Sequence, residues 1–261
     1  MVRLSNRPGI LSVLALLAAA MLLLGPAPAQ AAKTNCGSGT FTGHLWGVRH
    51  NNSSGYVSGA QANIDLKQNN LCNPPSGYIA AVQAYAELAQ VGGGGYAWLG
   101  WQHDSVSGST KHIYAQYSQT GSAIYQITIG TISSGTTKKY KTTWQNGSGS
   151  DGFMHFIMCN SDGTGCVDYG HTNFNPGSAW SDSRGVITGV TDTQDADMPG
   201  ITGDRNNFDS MLFRDGTGAW NTLSTSVCKL SGGSCSDSVS WYHPNDVSNS
   251  KFQLWTDPVN R

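Results

Sequence analysis

Four runs of alternating polar and apolar residues occupy positions 95–147, and each run stops at a cluster rich in Gly, Ser or Asn. The runs read GYAWLGWQHD, KHIYAQYS, AIYQITIG and KKYKTTWQ. Successive side chains of a β-strand point to opposite faces, so this period of two predicts four consecutive antiparallel strands. In the second run, Tyr114 and Gln116 share one face, whereas Ile113 and Ala115 share the other.

Short alternating runs bounded by turn residues extend over most of the chain and predict about a dozen strands with no helix. The segment Tyr78–Gln90 is rich in Ala, which suits a helix, but Tyr78, Val82 and Leu88 fall on one face at strand spacing. We therefore predict a strand there. A chain made only of strands must pack sheet on sheet. The expected fold class is all-β: a two-sheet antiparallel sandwich with disulfides, as a single domain over residues 55–261 after a polar N-terminal arm at 32–54.

The N-terminal segment, residues 1–31, has the pattern of a secretory signal peptide. Arg3 and Arg7 give it a positive start, residues 10–24 are almost wholly apolar, and residues 29–31 are the small residues that precede a cleavage site. No later apolar run approaches the roughly 18 residues that a membrane helix needs. We expect cleavage after residue 31 and a secreted, extracellular protein with no membrane association afterwards.

The charge balance excludes several classes of partner. Without Arg3 and Arg7, the 15 Lys and Arg residues fall to 13 against 16 Asp and Glu, a net charge of −3. Only 12% of the residues are charged. Nucleic acids and anionic membranes require a basic face, so we expect neither as a partner.

The six cysteines fit an oxidising compartment. Their spacing predicts three disulfides: Cys159–Cys166 and Cys228–Cys235, each closing six turn-rich residues, and Cys36–Cys72. On the chain-entropy model, closing each short loop stabilises the fold by about 2–3 kcal/mol. The sequence has no CxxC or HxxxH spacing of the kind that binds zinc, so no metal or cofactor is expected.

The densest acidic group lies in the segment Asp192–Asp209, which is also rich in Gly. Oxygen ligands suit Ca²⁺, but the spacing does not match an EF-hand loop, and a solvated loop with Asx turns is the favoured interpretation. A serine hydrolase is not supported, because the sequence has no GxSxG nucleophile motif.

An aromatic and amide surface is the more informative candidate site. If the first two runs are neighbouring strands, Trp98 and Gln102 share a face with Tyr114 and Gln116. Such surfaces hold sugars or extended peptides through apolar stacking and a few oriented hydrogen bonds. The alternative is that these rings fill the core between the sheets. Trp101 stands three residues after Trp98 and is predicted to point to the opposite face.

Several segments give the chain a resemblance to the C-terminal domain of neprosin-like proteins and, more distantly, to fungal glutamic peptidases. They are GAQANIDL (59–66), GWQ (100–102), KHIYAQYS (111–118), NSDGTGCVDYGHTNF (160–174), SAWSDSRGVITG (178–189) and NNFDSMLFRDGTGAW (206–220). The resemblance implies a jelly-roll-like sandwich with a ligand cleft on one curved face. It also implies a catalytic pair, Glu with Glu or Glu with Gln, in which one member activates water and the other donates a proton.

The chain departs from that catalytic pattern. The first catalytic position falls on Trp98 and the second around residues 179–182, where there is no Glu; Glu87 is the one glutamate in the sequence. We therefore predict a non-catalytic binder of an extracellular polymer, a glycan or an extended peptide. The ligand-binding residues expected are Trp98, Gln102, Tyr114 and Gln116. The alternative is an acid peptidase that uses Asp182 with Glu87 or Gln102, and a structural protein of the cell surface or matrix is a third class.

Overall fold

The structure is a computed structural model that describes residues 44–51, 57–67, 71, 81–89, 95–107, 110–118, 124–144, 154–172, 182–189, 200–223, 228–229, 242–248 and 250–256. All of these belong to one compact unit, Ala32–Arg261. The predicted signal peptide lies outside the described residues.

The described residues form strands and turns only, in agreement with the alternation of the sequence. In chain order the strands are β1 (His44–Asn51), β2 (Val57–Asp65), β3 (Ala81–Ala89), β4 (Tyr96–Asp104), β5 (Lys111–Ser118), β6 (Ile124–Ile132), β7 (Thr137–Trp144), β8 (Met154–Asn160), β9 (Val167–Thr172), β10 (Asp182–Gly189), β11 (Gly200–Ile201), β12 (Asp204–Asp215), β13 (Trp220–Thr222), β14 (Cys228–Lys229), β15 (Tyr242–Ser248) and β16 (Lys251–Thr256). The described residues contain no helix that is long and apolar enough to cross a membrane.

Two sheets build the predicted sandwich. The first has seven strands in the order β14-β1-β10-β3-β4-β5-β6. The second has nine, in the order β15-β16-β11-β12-β2-β7-β8-β9, with β13 paired to β12. The pairs are antiparallel except for a single parallel contact between Ile201 and Thr256. The all-β, two-sheet antiparallel fold class is therefore confirmed.

Most strand predictions hold, and the largest difference is at the N-terminal end. The Ala-rich segment forms β3, a strand, and the four central runs form β4 to β7 in consecutive order. Residues 32–54 are predicted to be a polar arm, but His44–Asn51 is β1, which lies between β14 and β10 in the first sheet and pairs with β10 over eight residues. Polar residues interrupt the alternation of polar and apolar residues in β1, and its partner β10 lies more than 130 positions further along the chain. The local sequence pattern therefore does not predict this strand.

The core lies between the facing sides of the two sheets. From β4 it receives Leu99 and Trp101, both 0% exposed, and from β3 it receives every second residue, including Ala84 and Leu88. The second sheet contributes its large fully buried side chains, namely Tyr140, Phe156, Phe208 and Phe252. Because burial of apolar surface is the main favourable term in folding, this layer fixes which face of each strand points outward.

The disulfide Cys159–Cys166 is present and confirms the first predicted bridge. It joins the end of β8 to the start of β9, with Cα atoms 4.0 Å apart. Within the enclosed turn, Asp162 Oδ1 accepts bonds from the Thr164 amide and hydroxyl at 2.8 and 2.7 Å. The bridges Cys36–Cys72 and Cys228–Cys235 remain predictions, since three of those four residues lie outside the described part of the chain and the structure describes only the backbone of Cys228.

Part of the acidic segment Asp192–Asp209 is described. Its last two carboxylates belong to β12, and Asp204 Oδ1 pairs with Lys67 Nζ at 2.7 Å. The earlier aspartates lie outside the described residues. Within the described residues no three His, Cys, Asp or Glu side chains come together as metal ligands would.

Candidate ligand-binding surface

The outer face of the first sheet collects aromatic and amide side chains across three neighbouring strands. Trp98 of β4 lies directly opposite Glu87 of β3 on one side and Gln116 of β5 on the other. Two residues further along β4, Gly100 is the register partner of Tyr85 on β3 and of Tyr114 on β5. Residues directly opposite in a sheet share a face, so these side chains stand on the side away from the core.

Four rings form a cluster on this face that is separate from the main core, and we call it the aromatic surface: Tyr85, Tyr96, Trp98 and Tyr114. The Tyr85 and Trp98 rings stack with centroids 4.9 Å apart and planes inclined by 23°. Gly100 makes room for the cluster, because a Cβ there would stand 2.6 Å from the Cβ of Tyr85.

The aromatic surface has a floor and a rim. Trp98, Tyr85 and Tyr114 form the floor and keep only 2%, 6% and 8% of their surface exposed. The rim consists of partly exposed polar side chains and one ring: Gln83, Tyr96, Gln102, His112 and Gln116. Packed rings are held in one orientation, whereas the rim groups keep access to solvent and to a ligand.

A chain of hydrogen bonds orients the amides at one end of the rim. Gln83 Nε2 donates to Gln102 Oε1 at 2.6 Å, and Gln102 Nε2 donates to Asp104 Oδ2 at 2.8 Å. The other Asp104 oxygen accepts the backbone N–H of Val106 and of Ser107, at 3.1 and 2.7 Å. Gln102 is thus fixed by partners on both sides of its amide.

The Asp104 carboxylate sets the electrostatics at this end. Burial of the carboxyl opposes its ionisation, but the hydrogen bonds from Gln102 and from Ser107 outweigh burial and hold the pKa of Asp104 below its ordinary value. Burial, and then the charge on Asp104, raise the pKa of the Tyr114 phenol. At neutral pH an ionised Asp104 therefore lies behind Gln102, and the Tyr114 phenol of the floor is neutral.

Glu87 lies on the same face, 7% exposed, at the far side of Trp98 from Gln116. Burial and, second, the negative charge of Glu87 raise the pKa of the Tyr96 phenol. On its other side Glu87 is the register partner of Arg184 of β10. The one glutamate of the chain thus adjoins the aromatic surface, beside Trp98.

The register separates the two versions of the alternative catalytic pair. Asp182 is the partner of Ala89, two positions from the Arg184–Glu87 pair, so its Cα is a diagonal neighbour of Glu87 at about 7–8 Å. Gln102 is the partner of Gln83, six positions from Ala89, so it lies about 20 Å from Asp182 along the strand direction. The backbone register therefore brings Asp182 close to Glu87 and keeps it far from Gln102.

The structure brings the four predicted ligand-binding residues together. Trp98 and Gln102 on β4 share the outer face with Tyr114 and Gln116 on β5, and Trp101 points to the core, as predicted. A binding role for the four residues stays a prediction.

The sequence interpretation missed the contribution of β3. Gln83, Tyr85 and Glu87 alternate with the apolar residues that define its core face, so the same alternation contained this signal. Pairing β3 with β4 in the correct register was the additional knowledge required.

Comparison with known proteins establishes the fold of the chain and no closer relationship. No family model matches the chain, and no curated protein matches it. Among solved structures the architecture recurs in the glutamic peptidases, so the chain has a glutamic-peptidase-like β-sandwich fold. The distant part of the resemblance seen in the sequence is thereby supported at the level of fold.

Three of these structures define the extent of the likeness. Scytalido-glutamic peptidase with a peptide-based transition-state analogue has a TM-score of 0.55 at 13% identity, covering 83% of this chain and 100% of that chain. SCP-B, a member of the eqolisin family in complex with the tripeptide Ala-Ile-His, has a TM-score of 0.51 at 14% identity with the same coverage. Scytalido-glutamic peptidase with a transition-state analogue inhibitor has a TM-score of 0.50 at 13% identity, covering 84% and 98%.

Proposed function

We propose that the aromatic surface binds an extended peptide without cleaving it. The observation that carries the proposal is the separation of roles on one sheet face: a packed floor of rings beside a rim of oriented amides. The glutamic peptidases of like fold were solved with peptide ligands, which favours a peptide over a glycan as the ligand. The protein would then be an extracellular peptide binder, related to the neprosin-like proteins by the resemblance of its sequence.

The chemistry of such binding follows from the floor and the rim. Apolar side chains of the peptide pack on the exposed edge of Tyr96 above the floor, and the amides of Gln102 and Gln116 exchange hydrogen bonds with its main chain. Because the floor rings are already packed, little side-chain entropy is lost when the ligand arrives. Trp98 occupies the position that the neprosin-like resemblance assigns to a catalytic carboxylate, and an indole ring can neither activate water nor donate a proton to a leaving group.

Gln116→Ala tests the binding role, because Gln116 lies on the rim and no core contact depends on it. Loss of one or two hydrogen bonds to a peptide should weaken affinity about tenfold, since each contributes about 1 kcal/mol. Peptide-library selection followed by calorimetry on the selected peptide measures the effect. Gln253→Ala is the matched control, because it removes a half-buried Gln from the outer face of the other sheet. Equal weakening by both variants, or binding to a glycan array and to no peptide, would contradict the proposal.

An acid peptidase is the second candidate function, and the diagonal position of Asp182 relative to Glu87 favours it. Two carboxyl groups near one water can act as general base and general acid when one is ionised and the other is protonated. Repulsion between two close carboxylates raises one of the two pKa values, which sets the activity in the acid range.

Hydrolysis of a Pro-rich peptide between pH 3 and 7 separates the two functions. We expect no cleavage by the wild-type protein. Cleavage that Glu87→Gln and Asp182→Asn each abolish, and that Asp209→Asn on the second sheet leaves unchanged, would establish the peptidase and refute the non-catalytic binder.

A further inference from the structure

The strand β6, Ile124–Ile132, forms one end of the seven-stranded sheet. It pairs with β5 along one side, and none of the other described strands pairs with its second side. Its sequence, IYQITIGTI, contains no charged residue and no Pro. A strand edge of this kind presents a row of backbone donors and acceptors that can pair with another chain.

Among the strand side chains of this sheet that the structure describes, those in the first half of β6 are the most exposed apolar ones. Ile124 is 62% exposed and Tyr125 is 51% exposed. Ile124, Gln126 and Thr128 share the outer face, since Gln126 is the register partner of Gln116. Tyr125 and Ile127 point to the side of the core, where the Tyr125 ring stacks on Tyr117 at 5.1 Å. Both faces of this edge are therefore incompletely covered.

The strands at the other sheet ends carry features that oppose edge-to-edge pairing. On β15 these are Pro244, which has no N–H to donate, and the charged Asp246. β9 contains Asp168, and β14 is only two residues long. In β6 the one such feature is a bulge beside the Ile113–Gly130 pair, which leaves Ile124–Thr128 regular.

We propose that a second copy of this chain pairs with β6, through antiparallel bonding of Ile124–Thr128 about a two-fold axis at Gln126. The segment is complementary to itself in that register. Ile124 meets Thr128, Tyr125 meets Ile127, and Gln126 meets its own copy. Aromatic and β-branched pairs are favourable across antiparallel strands, and no like charges meet. The same patch serves both partners, as a two-fold interface requires.

The proposed dimer is a property beyond the proposed function of the single chain, and it does not depend on that function. The two seven-stranded sheets would become one sheet of fourteen strands. A two-fold axis perpendicular to the sheet keeps both aromatic surfaces on the same side. The two β5 strands would then lie about 14 Å apart, three strand spacings, so that one extended ligand could reach both surfaces.

Light scattering coupled to size exclusion tests the dimer on the purified protein. We expect about twice the chain mass for the wild type, and a shift to the monomer for Tyr125→Lys and for Ile124→Lys, which place a charge on the edge. Val167→Lys on β9 is the control, since it changes an exposed apolar residue on the edge of the other sheet. A monomeric wild type at every concentration would overturn the proposal, as would a dimer that Val167→Lys disrupts and the β6 variants do not.

Cysteine crosslinking tests the register. In Gln126→Cys the new thiols face each other across the axis, at the Cβ separation of directly opposed strand residues, so an interchain disulfide should form on mild oxidation. Thr131→Cys, exposed on the same strand beyond the bulge, should give none. Crosslinking through Thr131→Cys alone would refute the Gln126 axis. If the wild type is a monomer that binds a foreign peptide at β6, and Tyr125→Lys abolishes that binding, the partner of this edge is a peptide and the dimer proposal is wrong.

Discussion

Trp101→Ala should lower the free energy of unfolding by about 3–5 kcal/mol, the largest loss expected for any single truncation in the core. Trp101 is 0% exposed and lies on the core face of β4, in the central part of the first sheet. Removing the indole leaves a cavity that the flanking strands β3 and β5 cannot close, because each is paired with a strand on both of its sides. Urea-induced unfolding followed by circular dichroism measures the change.

Two comparisons decide whether the loss comes from the cavity. Trp101→Phe should cost less than about 1.5 kcal/mol, because it keeps most of the ring volume and removes a buried Nε1–H that has no hydrogen-bond partner among the described residues. Trp98→Ala should also cost less than Trp101→Ala, since its cluster on the outer face contains four rings and not the full intersheet layer. A larger loss for Trp98→Ala would show that the stability of the fold resides on the outer face.

The opposite orientation of these two tryptophans is the part of the structure that sequence could predict. Alternation with a period of two is a local property, so the core face of β4 follows from the order of residues alone. The same reasoning placed Val82 and Leu88 of β3 on one face, and both are fully buried. It also located the aromatic surface on β4 and β5, because those strands are consecutive and neighbouring in the sheet.

Pairings between distant segments could not be predicted in this way. β10 lies between β1 and β3, and these contacts join residues separated by about a hundred positions or more. Register between such strands depends on the packing of the whole sandwich, and a shift of one residue would exchange the faces. The diagonal position of Asp182 relative to Glu87, and its distance of about 20 Å from Gln102, depend on that non-local register.

The candidate site also shows why residue type alone did not settle the chemistry. Glu87, Asp104 and Gln102 all belong to the outer face, and each is a group that acid–base catalysis uses. Gln102 is bonded to Gln83 and to Asp104, which orients its amide. An amide oriented in advance can hydrogen-bond a bound peptide main chain or polarise a substrate carbonyl, so its orientation does not separate recognition from catalysis.

Gly100→Ala is expected to be damaging as well, by at least about 3 kcal/mol, at the upper end of the cost of overpacking. An added Cβ would overlap the carbonyl oxygen of Ala84 and stand 2.6 Å from the Cα and Cβ of Tyr85. These are mainly backbone atoms of β3, so the clash cannot be relieved by a change of side-chain rotamer. The two strands would have to separate, which breaks ladder hydrogen bonds and displaces the floor of the aromatic surface.

Gly130→Ala is the matched control for that prediction, because it makes the same substitution in a strand of the same sheet. A Cβ at Gly130 would meet no atom within 4 Å, so the free energy of unfolding should change by no more than about 0.5 kcal/mol. Thermal unfolding of both variants, with peptide binding measured on whatever remains folded, gives the comparison. Because Tyr85 and Tyr114 flank Gly100 in the register, peptide binding should fall in Gly100→Ala even under conditions that keep it folded, and should persist in Gly130→Ala. Similar melting temperatures for the two variants would mean that β3 and β4 approach each other less closely at Gly100, and the floor of rings would then have to be assigned differently.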